Sequence, residues 1–352
     1  MQKKILFFLQ NLEPTGAEIM IFNLIKDLKL SSTHTIGIVL FEKGGGLVNE
    51  LPKGIKLYYL DQEFSLLDKI FHQLGQDILF HRLKKIQEDF QADYWYFNTI
   101  RNGGLLRYKT VFSVQTYVHI HELYSPLDTV SKKDFNDLIR NTDHFIACSD
   151  LVKDIYLPFI TADITTINST IQPIEISSDK LKIKNPKRKI IGAGSINYGK
   201  GLSFFYQIAS LFPKESFEFI WLGRFSNNGY SEIIKRQNEK TNWIHFISPS
   251  SREEYINLVS QADIFLSTSI EESMGLVMME AISLGIPVIA TPSKGSELIV
   301  HDKNGKIVYD TRATVFAEAI HEILNRSDQS FPSRKLPFDY SQELQKFKAL
   351  FG

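Results

Sequence analysis

The residues with the clearest chemical potential lie in one stretch, Ser269-Ile-Glu-Glu272-Ser273-Met274-Gly275-Leu276-Val277-Met-Met-Glu280-Ala-Ile-Ser-Leu-Gly285-Ile-Pro287-Val-Ile-Ala-Thr291. Its pattern is a strand end, a turn at Gly275, a short helix with apolar residues at mixed three- and four-residue spacing, a stop at Gly285, and a strand opened by Pro287. The start of that helix, Gly275 to Val277, offers backbone N–H groups and the positive end of the helix dipole, which suit a phosphate. Glu272 and Glu280 bracket this anion site. They would repel a phosphate, so their natural use is to accept hydrogen bonds from hydroxyls. A ligand with a diphosphate centre and a polyol at each end, the form of a nucleotide sugar, fits the arrangement. Two solvated glutamates on an amphipathic helix would give the same pattern.

Three other loops carry polar groups at strand ends. Gly192-Ala-Gly194-Ser195-Ile-Asn-Tyr-Gly199-Lys200-Gly201 joins a strand to a helix and reads as a phosphate cradle with Lys200 supplying charge. Gln10-Asn-Leu-Glu13-Pro-Thr15-Gly16-Ala17-Glu18 feeds another helix, with Gly16 permitting close backbone approach. Tyr117-Val-His119-Ile-His121-Glu122-Leu-Tyr124 ends a strand, and the period of two sets both histidines on one face. Ser149-Asp150 reads as a helix N-cap with an acidic first turn, and Ser251-Arg-Glu-Glu254 as a capping box.

Glu272-x7-Glu280, followed by Ala281, Gly285 and Pro-Val-Ile-Ala-Thr291, resembles the signature of the retaining glycosyltransferases of family 4, which have the GT-B fold. Ser296-Glu297-Leu-Ile and Asn304-Gly305-Lys-Ile-Val308 sit where that family has similar residues. The resemblance implies that Glu280 holds the nucleotide ribose, that Glu272 contacts the donor sugar, and that the amides of Ser273, Met274, Gly275, Leu276 and Val277 cover the diphosphate. It sets Thr15-Gly16-Ala17-Glu18 against a Gly-Gly-Ala-Glu run with one glycine missing. His121, followed by Glu122, matches the histidine that lines the donor-sugar pocket. The family's Gly-Arg-x4-Lys-Gly becomes Gly194-Ser195-x4-Lys200-Gly201, so serine replaces a diphosphate-binding arginine, and Arg224 in Leu222-Gly223-Arg224 could supply the charge instead. The turn at Ser248-Pro249 falls where the family seats the base.

The elements that must position these groups alternate short apolar runs with amphipathic segments. The strand candidates are Ile5–Leu9, Thr35–Leu40, Ile55–Leu60, Asp93–Phe97, Val114–His119, His144–Ala147 and Ile164–Ile167, then Lys189–Ala193, Phe217–Leu222, Trp243–Ile247, Ile264–Thr268, Val288–Thr291 and Lys306–Val308. Helices include Ala17–Leu28, a long one from Leu66 to Asp89 with a basic C-terminal end, and Asp150–Leu157. Continuous apolar strands between helices predict an α/β protein with parallel sheets covered on both faces. The expected organisation is GT-B, two Rossmann-like domains facing across a cleft. An acceptor-side domain spans 1–170, a linker 171–188, a nucleotide-sugar domain 189–335, and a helix over 336–352 crosses back to the first domain.

The chain has 352 residues, and its 40 Lys plus Arg balance 40 Asp plus Glu, so no nucleic-acid footprint is expected. The single cysteine, Cys148, rules out an internal disulfide and suits a reducing cytoplasm. The N-terminal Met-Gln-Lys-Lys-Ile-Leu-Phe-Phe-Leu turns polar too quickly for a signal peptide or a membrane span and reads as a first strand.

The resemblance implies glycosyl transfer, with retention, from a UDP- or GDP-sugar to a hydroxyl on a glycan or lipid-linked acceptor. His121, Lys200 and Glu272 would be catalytic. No cofactor and no metal would be needed. The setting would be bacterial surface polysaccharide or glycolipid synthesis in the cytoplasm, where lipid-linked acceptors would bring peripheral membrane contact at the inner face. A retaining glycosidase fits poorly: its carboxylates stand ~5–5.5 Å apart, whereas eight helical residues span ~12 Å. A sugar-nucleotide epimerase of the same fold and a non-catalytic nucleotide-sugar-binding subunit stay open, the second because of Ser195.

Overall fold

The structure, a computed structural model, describes residues 2–60, 77–174, 186–326 and 335–352. They form two compact units, one of residues 1–169 with 341–352 and one of 170–340. Every strand pairing in both is parallel. The first unit holds β1 (Lys4–Leu9), β2 (Thr35–Leu40), β3 (Lys56–Tyr59), β4 (Tyr94–Phe97), β5 (Gln115–Ile120), β6 (His144–Ala147) and β7 (Ile164–Thr166), in the order β3-β2-β1-β4-β5-β6-β7. The second holds β8 (Arg188–Ala193), β9 (Phe217–Leu222), β10 (Ile244–Ile247), β11 (Ile264–Ser267), β12 (Val288–Ala290) and β13 (Gly305–Ile307), in the order β10-β9-β8-β11-β12-β13. Each strand segment expected from an apolar run is a strand. In each sheet the order reverses beside the first strand, between β1 and β4 and between β8 and β11. That is where α/β sheets bind ligands.

In the central strands the apolar runs are continuous because both faces are covered, whereas the edge strands β3 and β10 expose Lys56 and His245. In β1, Leu6 and Phe8 join the cluster containing Trp95, Phe97, Val118 and Phe145. Phe7 points to the other face, with ring centroids 5.1 Å from Tyr96 and 6.3 Å from Phe347. In the second unit, Ile190, Phe219, Ile264 and Leu266 pack with residues of the Leu202–Ala209 and Ala313–Asn325 helices. Their alternates Ile191, Ile220, Phe265 and Val288 pack with residues of the Arg252–Ser260 and Leu276–Ser283 helices.

One electrostatic device recurs at the strand starts. Asp93, just before β4, accepts the backbone N–H of Lys4 at 2.8 Å through its carboxylate. Asp263, just before β11, does the same for Lys189 at 2.8 Å, and Asp143, just before β6, for Thr116 at 2.8 Å. Each carboxylate satisfies a strand-end donor and fixes one strand against its neighbour.

Several local expectations change. The helix expected over Leu66–Asp89 is not continuous: the Ile78–Phe90 helix begins after Asp77, which has extended backbone (ψ 109°) and accepts the N–H groups of Leu79 and Phe80. A well-placed N-cap outcompetes continuation of the apolar period. The part before Asp77 lies outside the described residues, as does most of the expected linker. The box at Ser251 is half formed. Ser251 Oγ accepts from the Glu254 N–H at 3.1 Å, but Glu254 reaches the Ser250 N–H at 2.7 Å instead of returning to Ser251. A reciprocal box stands at Ser293 and Ser296.

The Tyr340–Ala349 helix belongs, from Ser341 on, to the first unit. Phe347 is fully buried and packs on Tyr96 at 5.5 Å and on Phe351 at 5.5 Å, while the Tyr117 hydroxyl donates to the Leu350 carbonyl at 2.9 Å. Buried Glu343 accepts the Asn168 N–H at 2.8 Å. Phe347→Ala should therefore cost about 3–5 kcal/mol of first-unit stability, read as a lower urea midpoint; a change below about 1 kcal/mol would show that the segment only decorates the surface.

Candidate functional site

The loops leaving β8 and β11 part at the point where the second sheet reverses, and the backbone there leaves no room for side chains. Gly201 has φ +64°, and a Cβ on it would stand 1.8 Å from the Thr268 carbonyl oxygen. The Ile270 N–H donates to the Gly199 carbonyl at 2.9 Å, and the Thr268 hydroxyl to the Lys200 carbonyl at 3.1 Å. Gly194, at φ +143°, has its carbonyl held by Trp221 Nε1 at 3.0 Å. Asn197 caps the turn, accepting the Lys200 N–H at 3.1 Å and donating to Ser195 Oγ at 2.9 Å. Ser195 thus serves the loop's own geometry.

This stitching delivers Lys200 to Glu272. Lys200 Nζ lies 2.8 Å from Glu272 Oε2, with side chains 27% and 12% exposed. The other Glu272 oxygen accepts the Gly275 N–H at 3.2 Å, and the Glu272 carbonyl accepts the Gly295 N–H at 3.0 Å. Gly275, at φ +68°, is the N-cap of the Leu276–Ser283 helix, a conformation that favours glycine. The first-turn N–H groups of Leu276 and Val277 have no intrahelical acceptor, as at any helix start. A cation, a carboxylate and a helix N-terminus are therefore gathered in one place. Gly285, at φ +75°, ends the helix as its position requires.

Glu280 is 4% exposed. Its Oε1 lies 2.6 Å from the guanidinium of Arg252, the first residue of the Arg252–Ser260 helix. The Tyr255 hydroxyl is buried close by, and burial together with the Glu280 carboxylate pushes it well above its ordinary range. The spacing of the two glutamates revealed Glu280 but not Arg252. A signal existed: a cation at the positive end of a helix is disfavoured unless a carboxylate meets it. Arg224 and Ser248 are exposed, just beyond β9 and β10, one and two strands from β8 in the sheet order.

The first unit shows a second polar group at its own reversal point. Thr15 and Gly16 follow β1; the Gly16–Ser31 helix starts at Gly16, and the Thr15 hydroxyl donates to Glu18. Asn98 and Thr99 follow β4, and His121 and Glu122 follow β5. His121 Nε2 bonds Asn98 Oδ1 at 3.1 Å, while Glu122 accepts the His121 N–H at 2.9 Å and the Thr99 hydroxyl. His119 lies inside β5, fully buried, its Nδ1 2.7 Å from the Tyr96 hydroxyl. The two imidazoles stand 4.0 Å apart, centroid to centroid. The structure thus separates histidines that the strand period could not: His119 is enclosed and His121 sits at the strand end. With Asn98 accepting, His121 Nε2 carries the proton and Nδ1 keeps a lone pair. Burial lowers His121 to about 3, and His119, also facing His121, is lowered well below its ordinary range.

Comparison with known proteins places this geometry in a class. Over 99% of both chains the fold matches the crystal structure of Anabaena HepE in complex with UDP and glucose, at a TM-score of 0.81 and 19% identity. The fold is thus GT-B, an α/β architecture with two parallel sheets. Residues 173–335 match the family model described as glycosyl transferases group 1, so the second unit is a domain of that family. The curated relatives include a D-inositol 3-phosphate glycosyltransferase of Corynebacterium aurimucosum, 31% identical over 28% of this chain and 24% of its own length. A phosphatidylinositol N-acetylglucosaminyltransferase subunit of Homo sapiens is 23% identical over 81% of this chain and 60% of its own. The chain thus spans less than two thirds of the length of these relatives. Among the described residues no helix is long and apolar enough to cross a membrane.

The buried imidazoles predict an acid-sensitive fold. Below the ordinary histidine pKa the unfolded chain takes up protons that native His121 refuses, so its share of stability is present above pH 6.5 and is lost as the pH falls toward about 3. Glu18 and Glu122, raised by burial, act in the opposite sense. The difference isolates His121: between pH 7.5 and 5.5, wild type should lose up to about 1.4 kcal/mol more than His121→Gln. Parallel melting profiles would refute the assignment.

Proposed function

We propose that the chain is a retaining glycosyltransferase that moves a sugar from a UDP- or GDP-sugar to a hydroxyl of a glycan or lipid-linked acceptor. The observation that carries this reading is the Lys200–Glu272 pair, 2.8 Å apart and set against the Gly275-capped helix in a domain of the group 1 family. In the proposed reaction the bond between anomeric carbon and diphosphate breaks with its electron pair on the phosphate oxygen, the acceptor hydroxyl oxygen bonds the anomeric carbon on the same face, and the hydroxyl proton passes to the departing diphosphate. Lys200 and the first-turn amides meet that growing charge, a preorganised electrostatic contribution. Lys200 exchanges Glu272 for phosphate, which frees the Glu272 carboxylate to accept from donor-sugar hydroxyls. Glu280 accepts from the ribose, and in the first unit neutral His121 offers Nδ1 as an acceptor for a hydroxyl. No resident metal is needed, since these groups supply the positive field. HepE with UDP and glucose supports the donor class, and the polysaccharide or glycolipid setting follows relatives such as the lipopolysaccharide glucosyltransferase WaaG of Escherichia coli. Work in the cytoplasm, at the inner membrane face where acceptors are lipid-linked, completes the proposal.

A non-catalytic nucleotide-sugar-binding role is the second reading, because Ser195 hydrogen-bonds Asn197 where the family carries a diphosphate-binding arginine. Nucleoside diphosphate release that requires an acceptor separates the two.

Thermal-shift titration with UDP, GDP and their sugars tests the donor site. Ligand at a hundred times Kd should add about 2.7 kcal/mol of stability. Glu280→Ala should abolish the shift, and an unchanged shift would remove Glu280 from the site. Lys200→Ala should weaken nucleoside diphosphate about tenfold or more while sparing the monophosphate, on the scale of a lost charge-assisted hydrogen bond; equal losses would take Lys200 out of the cradle.

A further inference from the structure

Glu280 is almost sealed from solvent, yet its observed charge partner is a single side chain, Arg252, which is 38% exposed and approaches from a different helix. A carboxylate so enclosed must be paired, and removing its partner leaves the charge uncompensated. The guanidinium in turn stands over the Tyr255 ring, 5.3 Å from its centroid. The Tyr255 hydroxyl is buried beside Glu280. Carboxylate, guanidinium and phenol thus join two successive helices that pack in one cluster on the same face of the sheet. Arg252 also occupies the first position of its helix, where the dipole disfavours a cation, so its placement there answers to Glu280 and not to its own helix.

We infer that Arg252 is a positioning residue that confers ribose selectivity on the nucleotide site. By holding Oε1 it fixes the carboxylate plane and leaves the other oxygen to accept from the ribose hydroxyls; the guanidinium touches neither ribose nor phosphate. The inference rests on the donor site proposed above and goes beyond it, since it locates the selectivity for a hydroxylated sugar ring in a side chain outside that site.

Calorimetric titration of UDP and of 2′,3′-dideoxy-UDP, or the guanosine pair if that base binds, tests it on wild type, Arg252→Gln and Arg252→Lys. Wild type should prefer the ribonucleotide about tenfold or more, the scale of hydrogen bonds to a charged group. Arg252→Gln should lose that preference to within about threefold, with affinity for the dideoxy nucleotide unchanged, and Arg252→Lys should recover part of it. Equal weakening of both nucleotides would mean that the guanidinium acts on the diphosphate, and an unchanged preference would mean that it does nothing; either overturns the inference. A wild type that binds both nucleotides equally overturns it while leaving the donor site standing. A wild type that binds neither overturns both. Arg252→Lys, which retains the charge and pairs with Glu280 in the same place, keeps the test decisive if Arg252→Gln does not fold.

Discussion

The second unit depends on the absence of one methyl-sized group. Gly201 lies so close to Thr268 that any Cβ would sit 1.8 Å from a carbonyl oxygen. This contact lets the loops after β8 and β11 meet, exchange backbone hydrogen bonds and bring Lys200 to Glu272. Gly223 and Gly295 extend the same principle: a Cβ on either would meet a backbone carbonyl oxygen, of Gly194 at 2.0 Å in one case and of Glu272 at 2.3 Å in the other. The backbone sets where Lys200 and Glu272 stand and their ion pair holds both side chains before a ligand arrives, so little side-chain entropy remains to be lost on binding.

How much of this was legible in the sequence follows from what kind of signal each feature leaves. Strands enclosed on both faces, such as β1, β2 and β11, are apolar nearly throughout and could be read as continuous runs, and the part-exposed β3, β7 and β10 kept enough apolar residues to be read beside them. Glu272, Gly275 and Glu280 share one stretch of chain, where spacing translates directly into geometry. Features that depend on distant pairing left little trace. Arg252 meets Glu280 only because parallel strands bring successive helices together, and His121 finds Asn98 across β4 and β5. The residues from Ile100 to Val111, a long 3₁₀ segment, have no helical period to recognise. Its Gly103 is explained only by Leu138, whose side chain would lie 2.5 Å from a Cβ there. Asp77 looked like an ordinary helix residue because Asp occurs both at caps and within helices, and only the extended backbone and the two N–H groups its carboxylate accepts decide between them.

The two units solve the same problem in the same way. Asp93 and Asp263 each pin an amide at the start of the strand beside the reversal point, Lys4, the first residue of β1, in one case and Lys189, the second of β8, in the other. In both sheets the groups that could do chemistry then gather at the opposite, carboxyl end of those strands. The anchor and the site lie at opposite ends of the same strands, so a carboxylate can fix the register without crowding the ligand's end.

The composition of the first unit bears on how the protein is made. Its core is finished by Phe347 and Phe351, which close over Phe7, Tyr94, Tyr96 and Tyr117. During synthesis the ribosome delivers that aromatic sheet face first and its cover last, after the whole of the second unit. For most of translation the nascent first unit therefore carries an open, sticky surface, while the second unit has its full complement of residues as soon as it emerges. Folding on the ribosome should run out of chain order, with the later-made unit completed before the earlier one receives its covering helix.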